Sequence, residues 1–98
     1  MMTVNVLLEL KIKPESVEDA KKLFEEILPD TRSYEGCEKI TLCANDDEPE
    51  NIMVFEYWQT RPHYEKYLAW RTETGVVDKI VAMSAEPPSI KYFNDTGI

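Results

Sequence analysis

Within the first thirty positions the apolar residues change period, and this restricts the fold more than any other feature of the chain. Residues 3–12, TVNVLLELKI, alternate, with Val4, Val6, Leu8, Leu10 and Ile12 on one strand face and Thr3, Asn5, Leu7, Glu9 and Lys11 on the other. Pro14 has no N–H to offer a ladder and ends the run. Beyond it Val17, Ala20, Leu23, Phe24, Ile27 and Leu28 recur every three or four positions, opposite Glu15, Glu18, Lys22, Glu25 and Glu26. This predicts a strand followed by an amphipathic helix starting near residue 15, with Ser16 and Asp19 as a capping pair. Pro29 predicts a kink or a second short helical piece through Tyr34, and Gly36 a stop.

The same switch then repeats. Residues 37–45 (CEKITLCAN) and 52–58 (IMVFEYW) read as strands joined by the charged turn DDEPEN. Thr60 can cap a second helix with Pro62 in its first turn, and Gly75 ends it. VVDKIVAMSA, from Val76, reads as a short third helix before Pro87-Pro88 and a final strand, SIKYF. The order βαββαβ, with one extra short helix before the last strand, predicts a ferredoxin-like α+β sandwich with one antiparallel sheet and both main helices on one face. No linker, repeat or low-complexity tract interrupts the chain, so residues 1–98 read as a single domain. Strands one and three carry large apolar residues on both faces, which is expected if the face away from the helices is buried as well. A homodimer paired through the sheet satisfies that requirement.

Nineteen acidic residues against eleven basic ones give a net charge of -8, which repels a phosphate backbone and argues against nucleic acid. The absence of a run of about eighteen apolar residues argues against a membrane span, and MMTVNVLLELKIKPES lacks the pattern of a secretory signal. The expectation is a cytoplasmic protein. Cys37 and Cys43, six apart on one strand, are predicted to share a face roughly 20 Å from each other, too far for a disulfide. Their spacing fits no metal knuckle, and both read as small buried hydrophobes with no metal role.

The chemistry concentrates in residues 55–71, FEYWQTRPHYEKYLAWR. Alternation puts Ile52, Val54, Glu56 and Trp58 on one face of strand three and Met53, Phe55 and Tyr57 on the other. A glutamate among apolar neighbours requires a cationic partner or partial neutralisation. On the second helix Tyr64, Tyr67 and Leu68 form one apolar sector, with His63 and Trp70 at its edge and Arg71 at its centre. Arg71 either pairs with Glu56 or Glu9 across the layer, or faces a cavity walled by Trp58, Tyr64, Tyr67 and Trp70 that receives a flat anion.

LELKIKPES, SYEGCEKITL, VFEYW and PPSIKYF together resemble the antibiotic biosynthesis monooxygenase family, and Glu56-x-Trp58 is the most specific element of the likeness. The resemblance implies a ferredoxin-like monomer paired through its sheets into a dimeric α/β barrel, with a pocket in each subunit between sheet and helices. It implies oxygenation of a quinol or polyketide-like phenol with no metal or flavin cofactor, the deprotonated ring itself supplying the electron to dioxygen. In that reading Arg71 stabilises the phenolate, Trp58 and Tyr64 clamp the ring, and Tyr67 or His63 relays the proton. Glu56, Trp70, Leu68 and Val54 complete the substrate pocket. Tyr67 stands where many relatives carry a histidine, and Val54 where some cofactor-free members carry an asparagine. The proximal histidine of haem-degrading relatives has no counterpart around residues 76–82. A second class of function stays open beside the oxygenase, a non-catalytic dimeric module that binds a small aromatic molecule or serves only assembly. Turnover separates the two.

Overall fold

A computed structural model describes residues 3–98. The elements are β1 (Val4–Lys11), a 3₁₀ turn at Pro14–Ser16, α1 (Val17–Ser33), β2 (Cys37–Ala44), β3 (Asn51–Trp58), α2 (Arg61–Glu73), α3 (Val76–Met83) and β4 (Ser89–Asn94). The sheet order is β2-β3-β1-β4 with every neighbouring pair antiparallel, so each βαβ half leaves a gap that a strand of the other half fills. This is the ferredoxin-like α+β sandwich that the alternation of periods predicts. No helix among the described residues is long and apolar enough to cross a membrane.

The helix-facing side of the sheet is set by alternation. Ile52, Val54, Glu56 and Trp58 of β3 are all buried, while Phe55 and Tyr57 are each 40% exposed on the opposite side. Leu7 pairs with Phe55, and Asn5 lies between Tyr57 and Phe93, which gives the outer face an apolar centre. On the inner side the core forms two clusters. One gathers Leu10, Phe24, Leu28, Ile40, Ile52, Val54 and Ile80 beneath α1 and α3; the other gathers Val4, Val6, Trp58, Tyr64 and Tyr67 beneath α2.

Two local expectations are corrected, and one of two alternatives at Pro29 is excluded, the second short helical piece. α1 runs through Pro29 to Ser33 as one helix, because its face Ala20, Phe24, Leu28 and Thr31 is buried on the sheet and that packing outweighs the lost N–H. Ser16 makes no side-chain capping bond; it closes the 3₁₀ turn, its N–H donating to Lys13 O at 2.8 Å. The cysteines do not share a face: Cys37 pairs with Trp58 and Lys39 with Tyr57, so Glu38 is an extra residue that inverts the alternation of β2. Cys37 is therefore half-buried on the helix side, and Cys43, opposite Met53, is exposed. The Thr60 cap forms as expected, accepting from the His63 N–H at 3.2 Å. Gly75, at φ 84°, turns the chain from α2 into α3.

Candidate functional site

A cavity of about 80 Å³ lies at the seam between the two core clusters. Val54 and Glu56 of β3 form its floor, and Tyr64, Tyr67, Leu68 and Arg71 of α2 form one wall at the i, i+3, i+4, i+7 spacing that brings side chains to one helix face. Phe24, Ile27 and Leu28 of α1 and Val76 and Ile80 of α3 close it with apolar surface. Leu68, Val77, Pro88 and Ile90 are only half-buried, so the outer edge lies between the α2–α3 pair and β4. The volume exceeds the roughly 30 Å³ of one water in the liquid and is about half that of the ~150 Å³ apolar cavity in which an engineered protein takes up benzene.

Glu56 is 3% exposed. Burial pushes its carboxyl from 4.5 up to about 7, against the opposing effect of a hydrogen bond from Trp58. That bond runs from Trp58 Nε1 to Glu56 Oε1 at 3.0 Å. Oε2 has no hydrogen-bond partner among the described residues and is not fully shielded, and Glu56 lines the cavity. The hydroxyl of Tyr64 is in the same position, without an intramolecular partner. Burial, followed by the neighbouring Glu56, holds its ionisation far above that of an ordinary tyrosine, so it stays a neutral donor.

Arg71, 6% exposed, pairs with neither Glu56 nor Glu9. Glu9 is on the other face of the sheet, where it accepts from Asn51 Nδ2. The ion pairs among the described residues are Lys21–Glu18 and Arg61–Glu65, both on the surface. Arg71 donates instead to neutral acceptors: Nε to Tyr67 Oη at 3.0 Å, and Nη2 to Ile27 O at 2.8 Å and Thr31 Oγ1 at 3.0 Å. Thr31 Oγ1 donates to Ile27 O, so its 2.7 Å contact with Tyr67 Oη is one in which the tyrosine donates. The proton of Tyr67 is thus committed to Thr31. The network leaves a buried cation lining an apolar cavity with no carboxylate of the described residues within ion-pair distance.

Of the residues singled out in the sequence, Val54, Glu56, Tyr64, Tyr67, Leu68 and Arg71 come together on the cavity wall. Trp58, Trp70 and His63 stand outside it. Trp58 is fully buried behind the wall, its ring centroid 5.6 Å from Tyr64 and 5.0 Å from Tyr67. Trp70 stacks on Tyr34 at 5.2 Å and carries the Arg71 guanidinium at 4.3 Å on its ring. The His63 ring contacts Thr60 Oγ1 through Nδ1 at 2.6 Å and lies against Gly36, where an added Cβ would come within 2.5 Å of it. His63 therefore fastens the α1–β2 turn, at φ 91° for Gly36. Sequence reasoning missed Thr31, although it continues the inward stripe Phe24–Leu28 by three positions. Such a threonine is a polar group on an apolar face and calls for a partner.

The arrangement defines a class, a ferredoxin-like α+β protein with a cavity between sheet and helices that holds one titrating acid and one cation. A family model described as "Antibiotic biosynthesis monooxygenase" matches residues 3–72, and the chain belongs to that family. Membership supports a monooxygenase-like function in general terms. Functionally curated proteins give no match. Among solved structures, a conserved protein of Methanosarcina mazei Go1 superposes with a TM-score of 0.90 at 17% identity, covering 98% of this chain and 95% of its own. A protein described as an antibiotic biosynthesis monooxygenase gives 0.86 at 22% identity, covering 95% and 98%. A Shewanella oneidensis protein gives 0.83 at 16%, covering 96% and 91%. At these identities the likeness is one of fold.

Proposed function

We propose that the protein is a cofactor-independent monooxygenase for a small phenol or hydroquinone, with Glu56 as the base. One observation carries the reading: a buried carboxyl, poised near neutrality, presents an unpartnered oxygen to an apolar cavity. At about half the volume of a cavity that takes up benzene, the space must widen for even one ring as Leu68, Val77 and Ile90 yield outward, which favours a single ring over a fused polyketide. The phenolic proton passes to Glu56, leaving a phenolate beside Arg71. The cavity holds one cation and one anion before and after this transfer, so no net charge is buried. The phenolate gives one electron to dioxygen, and the resulting radical and superoxide join in a C–O bond at a ring carbon. Glu56 returns its proton to that peroxide and then removes the proton from the same carbon. The C–H electron pair becomes a C=O bond, the O–O bond breaks, and the departing hydroxide takes up the proton to become water. Phenol plus dioxygen thus gives quinone plus water. Tyr64, a neutral donor on the same wall, stabilises the oxygen on which charge develops.

The test is oxygen uptake with a panel of phenols and hydroquinones in chelator-treated buffer, with ¹⁸O₂ as the tracer. The expected result is one dioxygen consumed and one ¹⁸O atom in each quinone. The rate should rise with pH through about 7 as Glu56 ionises. No uptake with any member overturns the reading, and quenching of Trp58 fluorescence without uptake assigns the cavity to binding alone.

The partner is a second copy of the chain, docked through the outer sheet face. Phe55 and Tyr57, each 40% exposed, and Phe93, 46% exposed, support this. Light scattering is expected to give twice 11.4 kDa, and Tyr57→Glu combined with Phe93→Glu to give 11.4 kDa with unchanged far-UV circular dichroism. A monomeric parent protein contradicts the pairing. Two free cysteines fit a reducing cytoplasm.

A further inference from the structure

Among the described residues the indole of Trp58 is the one hydrogen-bond partner of the reactive carboxyl, and it does not line the cavity. Two positions along β3 put both side chains on the same face, and Trp58 Nε1 lies 3.0 Å from Glu56 Oε1. Trp58 is fully buried, its ring held edge-on by Tyr64 at 70° and by Tyr34 at 63°, so the N–H has no freedom to find another acceptor. The other polar groups around Glu56 are Tyr64, Tyr67 and Arg71 on α2, Cys37 on β2 and Tyr92 on β4. Burial holds the cysteine and the three tyrosines in their neutral forms. Nε and Nη2 of Arg71 donate to Tyr67, Thr31 and Ile27, and Arg71 makes no hydrogen bond to Glu56 among the described residues. Among the described residues the indole is thus the only donor to the carboxyl.

We propose that Trp58 is the positioning residue of this site: its N–H occupies Oε1 of Glu56, so that Oε2 alone faces the cavity and serves as the proton acceptor. The proposal rests on the reading of Glu56 as the base. A donor to the carboxylate favours the ionised form, so the same bond keeps the acid usable near neutrality in surroundings that would otherwise hold it protonated. Fixing one oxygen also fixes the direction from which a proton can arrive.

The experiment replaces Trp58 by β-(3-benzothienyl)alanine, which exchanges the indole N–H for sulfur and keeps the ring's shape, alongside Trp58→Phe. The readout is the carboxyl ¹³C titration of Glu56 in the ligand-free protein, identified by its absence from Glu56→Gln. In the unaltered protein the midpoint should fall near 7, and in the sulfur isostere it should move up by about one pH unit. The rising limb of the pH profile for oxygen uptake should move with it. A midpoint that is unmoved in the folded isostere, or one that already lies in the ordinary carboxylate range in the unaltered protein, overturns the proposal. If the midpoint moves but the unaltered protein consumes no oxygen, the positioning role stands and the reaction fails.

Discussion

Glu56→Gln is expected to slow oxygen uptake by about two to four orders of magnitude and, at neutral pH, to leave the protein more stable than its parent. The first effect is the usual loss when a positioned base is removed. The amide keeps an oxygen for the Trp58 N–H, so the core geometry survives. The second effect follows from burial. The folded state raises the carboxyl from 4.5 to about 7, so below 4.5 the acid is protonated whether the chain is folded or not. Between these values the unfolded chain releases the proton and the folded one does not, and stability is lost as pH rises, levelling off above about 7. At about 1.4 kcal/mol per pH unit the loss is roughly 3 kcal/mol. Glutamine cannot titrate, and its stability carries no such slope. The difference between the two proteins in urea-unfolding free energy should therefore grow by about 3 kcal/mol from pH 4.5 to pH 8, or on the order of 10–20 °C in Tm for a chain of this size. Parallel curves for the two proteins would mean that Glu56 ionises like a surface carboxyl, and the proposed base would lose its physical basis.

That such an acid sits at this place was legible in the sequence, because a period-2 pattern fixes which residues share a face. Once Ile52, Val54 and Trp58 are assigned inward, Glu56 must follow them. The inward position of Arg71 was equally forced by the helical period through Tyr64, Tyr67 and Leu68. Its partner was not. Opposite charges on facing elements invite a salt bridge, but pairing depends on the offset of α2 along the sheet and on what α1 brings to the same place, and neither is a periodic property. The expectation that Cys37 and Cys43 share a face of β2 failed for a related reason. One extra residue at Glu38 inverts every later side chain, and nothing in CEKITLCAN marks a bulge. The two tryptophans and His63 illustrate another limit: ring-rich composition locates a cluster without separating the residues that line a cavity from those that brace it.

Thr31→Val is expected to cost about 2–4 kcal/mol although it leaves side-chain shape nearly unchanged. The Thr31 hydroxyl accepts from Arg71 Nη2 at 3.0 Å and from Tyr67 at 2.7 Å, and donates to Ile27 O at 3.2 Å. Valine fills the same volume and offers none of these bonds, so the Tyr67 hydroxyl loses its acceptor and one guanidinium contact disappears inside the core. Ile27 O still receives Arg71, which limits the damage. Thr31→Ser retains the hydroxyl and removes only a methyl group, worth about 0.8 kcal/mol. Thermal unfolding should then drop by about 10–20 °C for the valine variant and by a few degrees for the serine variant. Equal losses in the two would show that packing alone, not the hydroxyl, holds α1 to α2 at this point. The distinction bears on function as well as stability. A buried guanidinium with no carboxylate within ion-pair distance persists because neutral acceptors take the donors of Nε and Nη2 without cancelling its charge, and that charge is what an anion in the cavity requires. In the valine variant the binding of a phenolate analogue should therefore weaken together with stability, whereas in the serine variant it should be retained.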